Sequence, residues 1–147
     1  MNKEQVNEMI KLVCDTRNVY VTSLDDEGYP NVKCVFLRDH DGLTDFYISS
    51  NCSSSRVKQF LKDPKSSLYF CKEEKIQALM LNGTMKVCTD LETRKRIWED
   101  TDVMYYPEGV EDPDYCVLHF TAIKGKYWNF GVRIDDFSVE EAERLLK

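Results

Sequence analysis

The sequence predicts an α+β fold, a small β-barrel of about six strands with helices packed outside it. Three observations lead to this expectation. The 147 residues suit one compact domain of ordinary size. Short β-branched and aromatic runs are separated by tight turns, in a chain that is 12% aromatic. Segments with helical apolar spacing lie at both ends of the chain and between the strands.

The first element is a helix predicted over residues 3–16. Val6, Met9, Ile10 and Val13 recur at the spacing of one helical face, so this face would pack on the barrel.

Strands dominate the middle of the chain. Residues 19–37 read as a β-hairpin around a turn at 25–30, and 39–42 read as a second turn before a strand at 44–49. Further strands are expected at 67–72, at 76–89 with a break at Asn82-Gly83, and at 115–123 with a continuation over 125–130.

The other helices carry their own start and stop signals. Ser53 or Ser54 could cap a helix at 56–61, and Asp63-Pro64 would end it. Asp90 would cap a helix over 90–100, followed by an acidic loop at 101–114. We therefore expect a single domain with an N-terminal helix at 1–16, a barrel at 18–130 and a helical tail at 131–147, whose last helix starts after Ser138.

Charge and composition exclude several classes of protein. The net charge of −6 opposes a general nucleic-acid binder, because such proteins gain affinity by neutralising phosphates. The sequence contains no apolar run of membrane-spanning length and no signal peptide, so we expect a cytoplasmic protein without a membrane partner. Its six cysteines and two histidines lack the spacing of metal ligands, and no metal is predicted.

The strongest chemical signal is the serine-rich stretch at 49–58, where a predicted strand runs into a helix. Free amides at a helix N-terminus favour phosphate, and Arg56 could add a charged contact. A solvated loop with an ordinary capped helix explains the same serines equally well. Lys33 is either a second cation beside this loop or an outward-facing strand residue, and Trp128 either packs in the core or stacks on a planar ligand.

Several segments together resemble the pyridoxamine 5′-phosphate oxidase-like flavoproteins. The hairpin strand GYPNVKCVFL at 28–37, the run FYISSNCSSSRVKQFLKDP at 46–64 and SLYF at 67–70 carry the resemblance. The continuation resembles the general stress protein branch, through Trp98, YPEG at 106–109, EDPD at 111–114 and YWN at 127–129.

This resemblance implies an FMN-binding split barrel that forms a homodimer, with FMN at the dimer interface. By position it implies a cofactor site made of three groups of residues: Lys33, Cys34, Val35 and Phe36 along the flavin, Ser49, Ser50, Asn51, Ser54, Ser55 and Arg56 at the phosphate, and Trp128 near the ring. Relatives are often basic at the position of Ser55, so this site would carry one positive charge fewer.

The function expected on this basis is an FMN-dependent oxidoreductase that acts on a small molecule, with no catalytic acid or base that can be named. The sequence lacks the Arg-rich C-terminal segment of the true pyridoxamine-phosphate oxidases, which argues against oxidation of vitamin B6. The alternatives are a flavin-binding stress-response module without turnover, or a split barrel that binds haem or a deazaflavin. His119 would be the candidate haem ligand.

Overall fold

The computed structural model describes residues 1–147 and contains one curled antiparallel sheet of eight strands. The strands are β1 (Asn18–Leu24), β2 (Pro30–Phe36), β3 (Asp39–Asp41), β4 (Asp45–Asn51), β5 (Lys65–Lys72), β6 (Gln77–Cys88), β7 (Tyr115–Asn129) and β8 (Val132–Ser138). Their order is β2-β1-β5-β6-β7-β4-β3, and β8 pairs with β7. The expected α+β split barrel is therefore confirmed.

Strand β7 organises the sheet because its 15 residues pair with three other strands. Its first half pairs with β4, its second half with β8, and β6 runs along its whole length. The predicted irregularity in β6 is confirmed, since the β6–β7 register shifts between Asn82 and Gly83. A Cβ atom at Gly83 would lie 2.0 Å from the carbonyl oxygen of Thr121, so only glycine allows this close approach.

Four α-helices flank the sheet: α1 (Lys3–Asp15), α2 (Ser55–Lys62), α3 (Leu91–Ile97) and α4 (Val139–Arg144). Side chains cap each of them, and the predicted caps Ser54, Asp90 and Ser138 are confirmed. The longest helix has 13 residues, and none is long and apolar enough to cross a membrane.

Two hydrophobic clusters lie on opposite faces of β4 and β7. The main core of 24 buried residues lies on the inner face of the sheet and includes Phe46, Ile48 and Leu118. The smaller cluster lies on the other face, next to α3, and consists of Tyr47, Cys88, Ile97, Tyr106, Tyr115 and Val117. Alternation along each strand explains this division, since neighbouring residues point to opposite faces.

The sheet has two strands more than the sequence predicts. Residues 39–41, expected as a turn, form β3, and residues 132–138, expected within a helical tail, form β8. The tail prediction is wrong there because β8 is largely exposed and its alternation is short, since two adjacent aspartates, Asp135 and Asp136, interrupt it after Ile134. Only Phe137 of this strand is buried, where it joins the main core.

The segment after Asp90 also differs from expectation. Helix α3 ends at Ile97, three residues early, because Trp98 takes an extended conformation and packs on Tyr106 and Tyr115. The acidic loop that follows contains two 3-10 turns, and Asp102 and Asp112 are buried within it rather than solvated.

Candidate functional site

The end of β4 and the start of α2 place the predicted phosphate-loop residues on two faces of the sheet. Ser50 is 2% exposed and points to the inner face, opposite Cys116 on β7. Ser49 and Asn51 point to the other face because side chains alternate along a strand. Ser49 and Ser50, predicted for one phosphate site, therefore lie on opposite faces of the sheet.

Arg56, in the first turn of α2, lies beneath this loop on the inner side. Its Nη2 donates a hydrogen bond to Ser50 Oγ at 3.2 Å. Its Nε and Nη1 are buried and have no hydrogen-bond partner. Burial of this guanidinium lowers the pKa of Arg56 below its usual value.

The titratable groups that act on the charge of Arg56 are Cys116 and Tyr106, and both are neutral near pH 7. Burial, with a smaller contribution from Cys52, raises the pKa of Cys116 to about 12, so its thiol stays protonated near neutral pH. Burial also raises the pKa of Tyr106 above its usual value. Arg56 forms no salt bridge, so it is a partly buried cation without a counter-ion. Such a charge is costly unless an anion neutralises it.

The N-terminus of α2 adds backbone donors to this cation. Ser54 Oγ accepts a hydrogen bond from the amide of Val57, as an N-cap does. The amides of Ser55 and Arg56 make no hydrogen bond within the chain. Two free amides and a guanidinium without a counter-ion form a set of donors suited to an anion.

Asp114, from the acidic loop, occupies the outer side of the same turn. Its carboxylate accepts hydrogen bonds from Asn51 Nδ2 at 2.7 Å, from the Ser53 amide at 2.8 Å and from Ser53 Oγ at 3.1 Å. The hydrogen bond from Asn51, followed by those from Ser53, holds the pKa of Asp114 below its usual value. Asn51 is thus engaged by a carboxylate of the chain itself.

Ser49 belongs to a different cluster, centred on Arg38. The Nη1 of Arg38 lies 3.3 Å from Ser49 Oγ, and the guanidinium binds both carboxylate oxygens of Asp102 at 3.0 and 2.9 Å. The carbonyl of Ile97 accepts a further bond from Arg38 at 2.9 Å. The structure therefore places Ser49 in a paired, structural ion cluster and not beside Arg56.

Strand β2 carries the next four predicted residues and forms one edge of the sheet. Lys33 and Val35 lie opposite Val21 and Val19, which are buried, so their side chains share the inner face. Lys33 is exposed and makes no hydrogen bond or ion pair. Cys34 and Phe36 alternate to the outer face, where both are exposed.

Trp128 lies on the outer face near the end of β7. It is half-buried beside a groove of about 500 Å³ that Tyr69, Ile76 and Ala78 also line. Its neighbour Tyr127 points inward, is fully buried and donates a hydrogen bond to Glu8. Of the aromatic pair in the sequence, only Trp128 is available to a ligand.

One chain does not bring Trp128 and Arg56 together. Cys116, beside Arg56, and Trp128 are twelve residues apart on β7, which corresponds to about 40 Å of strand. They also lie on opposite faces of the sheet. A single ligand could contact both residues only if they came from two copies of the chain.

The candidate haem ligand His119 is already engaged. Its Nε2 lies 2.7 Å from Asp45 Oδ1, and its ring stacks on Tyr47 with centroids 4.6 Å apart. Nothing in this arrangement favours haem.

Sequence reasoning missed Asp114 and the Arg38–Asp102 pair. Asp114 lies 61 residues from Ser53 and Asp102 lies 64 residues from Arg38, so no local pattern connects them. The one available signal was the EDPD motif at 111–114, which the resemblance included without a role for its last carboxylate.

Comparison with known proteins supports the sequence resemblance. Residues 4–138 match the family model described as "Pyridoxamine 5'-phosphate oxidase like". No curated protein matches the sequence. A solved structure from Clostridium acetobutylicum, described as a protein related to general stress protein 26 of B. subtilis (pyridoxinephosphate oxidase family), is 36% identical. It covers 97% of this chain and 99% of its own, with a TM-score of 0.86.

More distant structures share the fold. General stress protein 26 from Bacillus anthracis is 14% identical, covers 90% of this chain and 98% of its own, and has a TM-score of 0.70. A pyridoxamine 5'-phosphate oxidase-related, FMN binding protein from Nostoc punctiforme is 8% identical, covers 86% of this chain and 81% of its own, and has a TM-score of 0.66. Because the family model spans nearly the whole sequence, this chain belongs to the pyridoxamine 5′-phosphate oxidase-like family.

Proposed function

We propose that this protein binds FMN as a homodimer and uses it to transfer electrons to or from a small molecule. The observation that carries the proposal is Arg56, a partly buried guanidinium with two unpaired nitrogens and no counter-ion. A phosphate would supply the missing negative charge.

The chain offers a fitting set of donors for that phosphate. The guanidinium of Arg56 donates a hydrogen bond to the hydroxyl of Ser50, and the helix that carries Arg56 begins with two free amides. Because Nε and Nη1 of Arg56 are shielded from solvent, the side chain has to turn outward to meet a ligand. Relief from its uncompensated burial favours that movement.

The edge strand β2 suits the flavin ring system. It pairs only with β1, so its other edge presents backbone amides and carbonyls that no strand satisfies. In the proposed complex this edge, at Lys33, Cys34, Val35 and Phe36, would hydrogen-bond the pyrimidine side of the ring. The positive charge of Lys33, which has no ion-pair partner, would lie near the flavin.

A homodimer accounts for the position of Trp128. The outer face carries exposed apolar side chains next to its groove, including Tyr20 (38%), Val32 (64%), Tyr69 (37%) and Ile76 (67%). Exposed apolar patches of this kind mark interaction surfaces. Pairing of two such faces would let Trp128 of one copy reach the flavin that the other copy holds by its phosphate.

In this proposal the bound flavin supplies the electron chemistry, and the residues of the chain bind and orient it. Electron transfer requires that bound flavin be reduced by a donor such as NADH or NADPH and reoxidised by an added acceptor. A protein that binds FMN but reacts with no donor would instead be a flavin-binding module.

The decisive experiment compares FMN with riboflavin, which lacks the phosphate. Both ligands are titrated into the protein while quenching of flavin fluorescence is followed. We expect Arg56→Met to weaken FMN binding by about 1.5–3 kcal/mol, the range for a charged hydrogen bond, and to leave riboflavin binding unchanged.

Arg144→Met is the matched control, since Arg144 is exposed on α4 and its guanidinium pairs with Glu140 alone. Equal losses for FMN and riboflavin would remove Arg56 from the phosphate site. No quenching by either ligand would reject flavin binding altogether. A mass of 17.2 kDa in light scattering with FMN bound would reject the dimer.

A further inference from the structure

The last turn of α1 and strand β3 bring a thiol against an imidazole, away from the Arg56 site. Cys14 Sγ lies 3.6 Å from His40 Nε2, within hydrogen-bond distance for sulfur. Cys14 is exposed and forms no disulfide, so a reagent in solution can reach it.

A second hydrogen bond settles which ring nitrogen of His40 faces the thiol as a base. His40 Nδ1 lies 3.0 Å from the carbonyl oxygen of Gly42. A carbonyl oxygen only accepts hydrogen bonds, so Nδ1 of the neutral ring carries the proton. Nε2 then presents its lone pair to Cys14 Sγ.

The surrounding turn holds this ring in place. Gly42 has a left-handed backbone conformation (φ 54°), which directs its carbonyl within the turn that follows β3. The ring of His40 also stacks on Phe46 of the main core, with centroids 5.9 Å apart and an interplanar angle of 15°. A thiol, a base and a group that orients the base are the parts of an activated nucleophile.

Cys14 lies in the last turn of α1, and His40 is the one side chain that forms a hydrogen bond with its sulfur. The other exposed cysteine, Cys34, lies on β2 and forms no side-chain hydrogen bond, so it has no base beside it.

We propose that Cys14 is a modification site that forms a mixed disulfide with low-molecular-weight disulfides, with His40 as the proton acceptor. His40 Nε2 takes the thiol proton, and Cys14 Sγ attacks one sulfur of the disulfide. The new bond joins Sγ to that sulfur as the original S–S bond breaks, and the other half leaves as a thiolate. This thiolate takes up the proton, so one thiol and one disulfide become one mixed disulfide and one thiol.

The test measures modification of each cysteine by glutathione disulfide, with the sites resolved by peptide mass spectrometry. The control is Cys14 itself in two variants of His40, because the exposed Cys34 lies on the outer face that the proposed dimer would cover. We expect Cys14 to react about tenfold faster in the unaltered protein than in those variants, less than the range of about 10²–10⁴ for a positioned base because the site is exposed.

Two variants isolate the role of His40. His40→Asn and His40→Gln should lower the rate at Cys14 about tenfold and leave the rate at Cys34 unchanged. The buried Cys116 reports folding, since it should stay unmodified in every folded variant.

Equal rates at Cys14 in the unaltered protein and in folded His40→Asn and His40→Gln would overturn the proposal. An unaltered protein in which Cys14 is not modified would overturn it as well. These readouts compare Cys14 with itself and need no flavin, so their outcome is independent of the function proposed above.

Discussion

Two arginines, Arg38 and Arg56, flank the same strand and differ in how their charges are satisfied. Arg38 lies on the side of Ser49 and binds both oxygens of Asp102, with a carbonyl as a further partner. Arg56 lies on the side of Ser50, which is its single hydrogen-bond partner. Ser49 and Ser50, which are adjacent in β4, therefore lie beside two different arginines. Carboxylates neutralise the charge of Arg38, whereas no carboxylate pairs with Arg56.

The difference separates stability from binding. A buried ion pair with good geometry holds two parts of the chain together, and loss of either partner leaves an expensive charge. A buried cation without a partner contributes nothing to stability by itself, and it is retained at a cost. We therefore assign Arg38 to the stability of the acidic loop, and the missing partner of Arg56 supports its proposed role in binding an anion.

The largest expected effect on stability comes from removing the carboxylate that binds Arg38, so that Arg38 resembles Arg56. Asp102→Asn keeps the shape of the side chain but removes the charge that Arg38 binds. We expect the free energy of unfolding to fall by about 3 kcal/mol, because a largely buried guanidinium would lose the carboxylate at 2.9 Å and keep only the exposed Glu99 at 3.5 Å. Urea denaturation measures this change, and Asp100→Asn is the control, since Asp100 is exposed on the same 3-10 turn. Equal stability of the two variants would refute the assignment of Arg38.

The second prediction is that replacement by methionine changes the free energy of unfolding in opposite directions at the two arginines. Arg56→Met should raise the free energy of unfolding of the flavin-free protein by about 1 kcal/mol, because an apolar chain of similar length replaces an uncompensated charge. Arg38→Met should lower it, since Asp102 would remain buried without its partner. Both are measured by urea denaturation in the absence of flavin. A clear loss of stability in Arg56→Met would show that this residue has a structural partner.

The comparison also predicts a dependence on pH. Burial acts to raise the pKa of Asp102, but the hydrogen bonds from Arg38 and the Glu99 amide outweigh it, and the pKa lies below the ordinary value of 3.8. The contribution of the pair is therefore complete at neutral pH and is lost as the pH falls below 3.8 through the pKa of the folded state.

Unfolding measured at a series of pH values down to below 3.8 tests this prediction. The difference in stability between the unaltered protein and Asp102→Asn should shrink as the solution is acidified. A difference that stays constant over this range would mean that Asp102 does not titrate with folding.

The smallest expected effect concerns Asp114, the carboxylate at the turn above Arg56. Asp114→Asn removes a negative charge next to the proposed phosphate site and weakens its hold on Asn51 and Ser53. FMN should then bind a few-fold more tightly, and more so at low salt than at high salt. Fluorescence titrations at two salt concentrations measure this, with Glu111→Gln as an exposed control on the same loop. Weaker FMN binding would instead show that Asp114 supports the loop in its binding form.

Local patterns in the sequence predicted much of the fold. The apolar face of α1, the caps Ser54 and Asp90, and the glycine of the β6 irregularity are all confirmed. Each depends on residues within one turn or one strand, where spacing and conformational preference decide the outcome. Strand β8 was not predicted, because it pairs with β7 in an exposed position and buries only one side chain, that of Phe137.

The site was predictable in outline only. The helix start, the serines and the arginine are contiguous, so residues 49–58 alone predict a candidate phosphate loop. The faces to which Ser49 and Ser50 point depend on the pairing of β4 with β7, which joins residues more than 60 positions apart. The same distance in sequence hides Asp114 from local reasoning, although it binds Asn51 and Ser53.

The sequence by itself determined the class of the fold, the helix starts and the family of this protein, because these depend on local spacing and on motifs in a fixed order. The tertiary structure alone decided that Arg38 has a counter-ion and Arg56 has none, and that Trp128 lies on the face opposite Arg56. The physical reason is that charge compensation and burial depend on which distant segments meet. Strand pairing and loop packing bring these distant segments into contact, and the sequence of one segment does not predict such contacts.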